Sequence, residues 1–104
     1  MVRSTPVAEW TAIANAWPAG RGSEGGTVRL DEEHVGGLRI TLEEGGVTAP
    51  WCITCGIAGL FVHTAFAATE AEARAALERM KARLVAIASS GDPIPLLQPF
   101  VAEF

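Results

Sequence analysis

The longest run of apolar positions in the chain is PWCITCGIAGLFVHTAF, residues 50–66, and this pattern predicts a β-hairpin. Glycine reaches backbone conformations that other residues avoid, so Gly56 and Gly59 indicate a tight turn centred on Ile57 and Ala58. The arms on either side are rich in β-branched and aromatic residues, which is typical of strands.

The alternation of side chains within the two arms predicts which residues meet across the hairpin. With a two-residue turn, Cys55 lies opposite Leu60, and Cys52 lies opposite His63. The face predicted to join the core contains Trp51, Ile53, Cys55, Leu60, Val62, Thr64 and Phe66. The mixed face contains Cys52, Thr54, Phe61, His63 and Ala65. A slip of one residue would exchange the faces, so this assignment depends on the turn.

Two shorter segments upstream, TVRLD at residues 27–31 and LRITLE at residues 38–43, alternate between apolar and polar positions. This alternation is typical of half-buried antiparallel strands. The connection between them, EEHVGG, places His34 among acidic residues at a hairpin tip. With the arms of the hairpin, these segments predict a four-stranded antiparallel meander.

Residues 69–89 carry the pattern of an amphipathic helix. Thr69 and Glu72 have the spacing of a capping box, which satisfies free amides at a helix start. One apolar stripe repeats at steps of three and four residues, and it contains Ala73, Leu77, Met80, Leu84 and Ile87. We expect this long helix to pack across the core face of the sheet.

A short helix is also predicted near the N-terminus, over residues 5–17. Thr5 suits the N-cap and Pro6 suits the first helical position. An apolar face follows at helical spacing, and Pro18 ends the pattern because the residue before proline avoids helical angles. Two tryptophans lie on that face, at positions 10 and 17, and they predict docking onto the sheet.

The last segment, DPIPLLQPFVAEF, combines three prolines with many apolar residues. The prolines predict an extended tail over residues 92–104 rather than a regular helix. Because so apolar a segment is rarely left in water, we expect it to dock on its own domain or on a second subunit. The predicted fold is therefore a single α+β domain over residues 1–104: N-terminal helix, four-stranded meander, long helix and extended Pro-rich tail.

The charge and the apolar content of the chain limit which kinds of partner it can bind. The chain has 104 residues, nearly half of them apolar, and its net charge is −4. The apolar content argues against global disorder, and the acidic balance argues against a nucleic-acid partner, which needs a basic stripe. No apolar stretch is long enough to span a membrane, and the first residues lack the apolar centre of a signal peptide. We therefore expect a cytoplasmic protein, and the Ala-, Gly- and Arg-rich composition suggests a bacterial source.

The segment Ala49-Pro50-Trp51-Cys52-Ile53-Thr54-Cys55 resembles the active-site segment of the thioredoxin family, in which Ala-Pro-Trp-Cys precedes two residues and a second cysteine. That resemblance implies a first cysteine at the start of a helix, whose N-terminus lowers the thiol pKa. Here Glu43 to Gly46 precede the segment and a β-branched, aromatic arm follows it. Because no strand–helix–strand unit fits around the cysteines, we do not assign the chain to that family.

Two kinds of site can be built from the thiols and imidazoles. A thiol-redox site would use Cys52, Cys55 and His63, and a metal site would add His34 to these candidates. Zinc needs three or four ligands that converge tetrahedrally, whereas the predicted register places Cys55 on the face opposite Cys52 and His34 at a distant tip. The alternative is a thiol packed beside a half-buried histidine.

The sequence thus favours a non-catalytic binding or interaction domain without a cofactor. Its mixed hairpin face and apolar tail predict a homodimer, with an interface that includes Phe61, Leu97, Phe100 and Phe104. The alternative function is a small thiol-redox or metal-binding protein that uses Cys52, Cys55 and His63.

Overall fold

The structure is a computed structural model that describes residues 9–13 and 20–104. These residues form an α+β globule with an antiparallel sheet and two helices. The elements in chain order are β1 (Thr11–Ala12), β2 (Thr27–His34), β3 (Leu38–Glu44), β4 (Trp51–Ile57), β5 (Phe61–Ala67), α1 (Glu70–Ala88) and α2 (Ile94–Glu103).

The described sheet has five strands in the order β1-β2-β3-β4-β5, and each neighbouring pair is antiparallel. The four-stranded meander predicted from the sequence is therefore one strand short. The additional strand is β1, which pairs Thr11 with Glu33 and Ala12 with Glu32. A two-residue strand leaves too little alternation to be recognised in a sequence.

The N-terminal helix predicted over residues 5–17 is not found in the part that the structure describes. Residues 1–8 and 14–19 lie outside the described residues. Between them, Thr11 and Ala12 are extended, and Ile13 donates its backbone N–H to the carbonyl of Asp31 at 2.8 Å. Pairing with the edge of β2 overrides the helical spacing of the apolar residues, as tertiary contacts often override a local pattern.

Helix α1 begins and packs as its sequence predicts. The hydroxyl of Thr69 accepts a hydrogen bond from the backbone N–H of Glu72 at 3.2 Å. The five residues of the predicted apolar stripe are all buried, with Met80 and Leu84 completely so. Helix α1 lies across β3, β4 and β5, where it covers Ile40, Leu42 and Ile53.

The segment predicted as an extended tail contains a helix, α2, over Ile94–Glu103. Pro93 is its N-cap and Pro95 lies in its first turn, where the missing amide would have had no partner within the helix. Pro99 removes one internal hydrogen bond. Leu97, Phe100 and Phe104 follow at helical spacing and pack against the core, which offsets that loss.

The hairpin register also differs from the predicted one. Strand β5 pairs with β4 so that Cys55 lies opposite His63, Ile57 opposite Phe61 and Cys52 opposite Phe66. The turn contains three residues rather than two, with Gly59 at φ 76° and a hydrogen bond from the N–H of Leu60 to the carbonyl of Ile57.

Gly56 is a strand residue rather than a turn residue. A Cβ at this position would come within 2.7 Å of the carbonyl oxygen of Phe61, so β5 approaches too closely for any side chain. The observed pairing of β5 with β4 differs from the predicted pairing by an odd number of residues. The side chains of β4 therefore lie on their predicted faces, whereas those of β5 lie on the opposite faces. Phe61, His63 and Ala65 therefore join the core face, whereas Val62 and Phe66 do not.

Among the described residues, no helix is long and apolar enough to cross a membrane.

Candidate functional site

Cys55 and His63 lie side by side on the core face, in the paired strands β4 and β5. Helix α2 closes this position, because the ring of Phe100 stands edge-on to His63 at a centroid distance of 6.1 Å and to Phe61 at 5.6 Å. Phe100 and Cys55 are buried. The Nε2 atom of His63 is also buried and has no hydrogen-bond partner among the described residues.

The environment of Cys55 keeps its thiol protonated. Burial raises the pKa of Cys55 to about 12, because an apolar surrounding disfavours the thiolate. The thiolate is the form that attacks disulfides and binds metals. Cys55 is therefore arranged as a small apolar core residue beside His63.

Cys52 lies on the opposite face of the sheet, directly across from Glu43 on β3. Burial raises the pKa of this thiol, and the negative charges of Glu43 and Glu24 raise it further. Both cysteines are free and buried. The Cys52–His63 pair predicted from the sequence does not form, since the two side chains are on different faces.

The carboxylate of Glu43 is buried, and it accepts hydrogen bonds from the backbone of the glycine-rich loop. The backbone N–H of Gly26 donates to its Oε2 at 2.7 Å, and that of Glu24 donates at 3.1 Å. A Cβ at Gly22 would overlap the same carboxylate. The glycine-rich loop over residues 20–26 thus wraps around an anion supplied by the chain itself.

His34, the fourth candidate ligand, is the last residue of β2 and lies beside the turn of the β2–β3 hairpin, opposite Leu38, as the sequence predicts. Its ring contacts Trp10 at a centroid distance of 5.3 Å, and the ammonium group of Lys81 lies 5.6 Å from the ring of Trp10. Within residues 9–13 and 20–104, no three His, Cys, Asp or Glu side chains converge on a point that could hold a metal ion.

The four residues predicted to form an interface between subunits all contact the core of their own chain. Phe100 is completely buried, and Phe61, Leu97 and Phe104 are partly buried against the same core. The ring of Phe104 lies 4.9 Å from that of Phe100, and the guanidinium of Arg79 lies 5.4 Å from the ring of Phe104. The helical tail therefore contacts its own domain.

A different surface carries exposed apolar side chains, and it is formed by β5. Val62 and Phe66 point away from the helices, with 77% and 50% of their surfaces exposed. Strand β5 is the last strand of the described sheet, and β4 is its one strand partner there. The sequence of the strand, FVHTAFA, contains no Asp, Glu, Lys or Arg.

The two edges of the described sheet differ in strand length and in charge. Strand β1 is two residues long, and β2 beside it carries charged side chains at several positions. Short strands, charges, prolines and bulges are the usual means by which proteins protect a sheet edge from other chains. Strand β5 has seven residues, pairs with β4 without a register shift, and has none of these protections.

A groove of about 580 Å³ adjoins β5. Its lining includes Thr41, Thr54, Gly56 and Val62, with Arg39 at one side. The guanidinium of Arg39 makes two hydrogen bonds to the carboxylate of Asp31, at 3.0 and 2.6 Å, so its charge is already neutralised within the chain. The groove therefore extends the apolar surface of β5.

Comparisons with family models, with curated proteins and with solved structures find no match to this chain. The sequence contained a signal for β5, namely a seven-residue strand without charge, but the predicted register placed Val62 and Phe66 in the core. Nothing in the sequence singled out Glu43.

Proposed function

We propose that this chain is a non-catalytic interaction domain that associates with itself through the outer edge of β5. The observation that carries the proposal is the combination of an unprotected edge strand with two exposed apolar side chains, Val62 and Phe66. An edge strand presents a row of backbone donors and acceptors that another strand can bind, and apolar side chains on its face add contact area.

The environment of the cysteines supports a structural role for them. The thiol-redox alternative requires an accessible thiol of low pKa, whereas both thiols are buried and their pKa values are raised. The metal-binding alternative requires converging ligands, whereas Cys52 faces away from Cys55 and His63. Cys52, Cys55 and His63, the residues that could have formed a redox or metal site, are therefore assigned to the packing of the sheet.

Sedimentation equilibrium of the wild-type chain and of two lysine variants tests the proposal. Val62→Lys places a charge on the exposed face of β5, and Val47→Lys is the matched control, because Val47 is 91% exposed in the loop between β3 and β4. We expect a dimer for wild type and for Val47→Lys, and at least tenfold weaker association for Val62→Lys.

Two results would contradict the proposal. One is a monomeric wild-type chain at concentrations up to about 100 μM, where an interface with a Kd of about 1 μM would be occupied. The other is equal association of the Val62→Lys and Val47→Lys variants, which would place the interface elsewhere on the surface.

A further inference from the structure

We infer that β5 pairs with β5 of a second copy, antiparallel and about a two-fold axis at Thr64, so that two sheets join into one. This inference rests on the proposed self-association and specifies its geometry. Two-fold interfaces are self-complementary, which means that each residue on one side must suit the residue that symmetry places opposite it.

The exposed face of β5 meets this requirement. Thr64 is the central residue of Phe61–Ala67, and Val62 and Phe66 lie two positions to either side. With Thr64 on the axis, Val62 of each copy lies opposite Phe66 of the other. The two exposed apolar side chains thus cover one another twice, and aromatic–β-branched pairs of this kind stabilise antiparallel strands.

The core face of β5 satisfies the same symmetry. In this register Phe61 lies opposite Ala67 of the second copy, and His63 lies opposite Ala65. A large ring meets an alanine in each case, which leaves room on the helix-covered side. The strand has no charged residue, so no pair in the register brings like charges together.

Thr64 itself suits a position on the axis. Its hydroxyl oxygen lies 3.1 Å from that of Thr54 on β4, so the side chain is held within its own sheet and remains small where the two copies meet. Moving the axis by two residues, to Val62 or to Phe66, would leave only three residues of each β5 paired. The axis at Thr64 pairs all seven.

The joined sheet has a defined arrangement of layers. Antiparallel pairing about an axis perpendicular to the sheet keeps the helices of both copies on one side. The grooves beside Val62 of each copy lie on the other side, toward opposite ends of the joined sheet. The result is one continuous sheet with the helices on one face and the two grooves on the other.

The register is tested with two double variants that differ in one charge sign. In Val62→Glu/Phe66→Lys, the register places each glutamate opposite a lysine of the second copy. In Val62→Lys/Phe66→Lys, it places lysine opposite lysine twice. Opposite charges across a strand pair attract and like charges repel, so we expect at least tenfold tighter dimerisation of the first variant by sedimentation equilibrium. The Val62→Lys/Phe66→Lys variant has a smaller net negative charge, so the general repulsion between its two copies is weaker. That effect alone would favour its dimerisation and therefore opposes the expected difference.

The outcomes separate the register from the proposed function. A wild-type dimer with at least the tenfold difference supports the register. A wild-type dimer with equal affinities in the two double variants overturns the register and leaves self-association in place. A wild-type monomer overturns both.

Cysteine cross-linking gives the same answer if the charged variants fail to fold. The register brings the Cα atoms of Thr64 in the two copies to about 5.5 Å, within the range of a disulfide. Oxidation of Thr64→Cys should therefore give a covalent dimer, whereas Val62→Cys should not, because it lies opposite Phe66. Cross-linking through Val62→Cys alone would contradict the register.

Discussion

His63 lies directly opposite Cys55 across the pair β4–β5, on the face of the sheet that the helices cover. This pairing determines the surroundings of both side chains. A two-residue turn would have put His63 opposite Cys52 and away from Cys55. The three-residue turn at Gly59 instead brings His63 beneath Phe100 and moves Val62 and Phe66 to the outside.

The buried position of both thiols predicts slow reaction with a thiol reagent in the native protein. Because burial raises the pKa of Cys52 and of Cys55, we expect neither to react quickly with 5,5′-dithiobis(2-nitrobenzoate) at pH 7.5. Both should react at once in 6 M guanidinium chloride. Rapid reaction of one thiol in the folded chain would show an accessible, activated cysteine and would revive the redox function.

The raised pKa of Cys55 predicts a loss of stability in alkali. The pKa of the unfolded thiol is near 9, whereas burial raises the pKa of the folded thiol to about 12. Between these values the unfolded state releases a proton that the folded state keeps, so the free energy of unfolding falls as pH rises. The slope for one group approaches about 1.4 kcal/mol per pH unit.

Cys55→Ala isolates this contribution, because the variant has no thiol at that position. Chemical denaturation at several pH values should show that wild type loses stability relative to Cys55→Ala between pH 9 and 12. A constant difference in the free energy of unfolding across this range would mean that Cys55 is not shielded from water.

Phe100 should be the residue through which α2 contributes most to stability. It is completely buried and contacts both Phe61 and His63. Truncation of a buried phenylalanine costs about 3–5 kcal/mol, so Phe100→Ala should lower the free energy of unfolding by that amount.

Val101→Ala is the control for this substitution, since Val101 is exposed on the same helix. Its effect should stay within about 0.5 kcal/mol in the same urea titration. Equal, small effects of both substitutions would show that α2 does not pack on its own domain in solution.

Glu43 should stabilise the glycine-rich loop through its buried carboxylate. Glu43→Ala leaves the amides of Glu24 and Gly26 without their acceptor. Hydrogen bonds to a charged group contribute about 1.5–3 kcal/mol, so we expect a loss of about 3 kcal/mol and faster amide exchange at Gly26.

Glu44→Ala is the matched control, because Glu44 makes an exposed ion pair with Arg29. Exposed ion pairs contribute about 0–1 kcal/mol, so this variant should lose little stability. A loss for Glu43→Ala no larger than that for Glu44→Ala would contradict the structural role of the buried carboxylate.

Periodic features of the fold could be predicted from the sequence. Helix α1 was predictable because Thr69 and Glu72 indicate its start and a long stripe of apolar residues specifies its buried face. Strands β3 and β4 were predictable because their alternation is regular and their core positions, such as Ile40 and Ile53, are strongly apolar.

The remaining features depend on contacts that a sequence pattern does not contain. The sequence predicts Gly56 as a turn residue, but Gly56 lies within β4. Glycine is needed there because β5 passes too close for a side chain. The prolines of α2 read as an extended tail, but two of them fall where a helix tolerates proline. Between Val28 and Leu30, an irregularity in the pairing with β3 interrupts the alternation of β2.

The predicted pairing of the candidate residues depended on the register of the hairpin, and that register was wrong. The sequence indicates Cys52, Cys55 and His63 as candidates, but it predicts that His63 lies opposite Cys52, whereas His63 lies opposite Cys55. Because the same error placed Val62 and Phe66 in the core, the exposed surface of β5 could not be predicted. The length and position of one turn therefore decided which residue lies opposite Cys55 and which side chains of β5 are exposed.

Amide hydrogen exchange along β5 tests the central claim most directly, because it reports on the edge itself. In a dimer joined through β5, the amides that point away from β4 are hydrogen-bonded and exchange slowly at high protein concentration. They should lose this protection on dilution, while the amides of β4 keep theirs. Fast exchange of the outward amides at every concentration would contradict the account, because β5 would then be a free edge in solution.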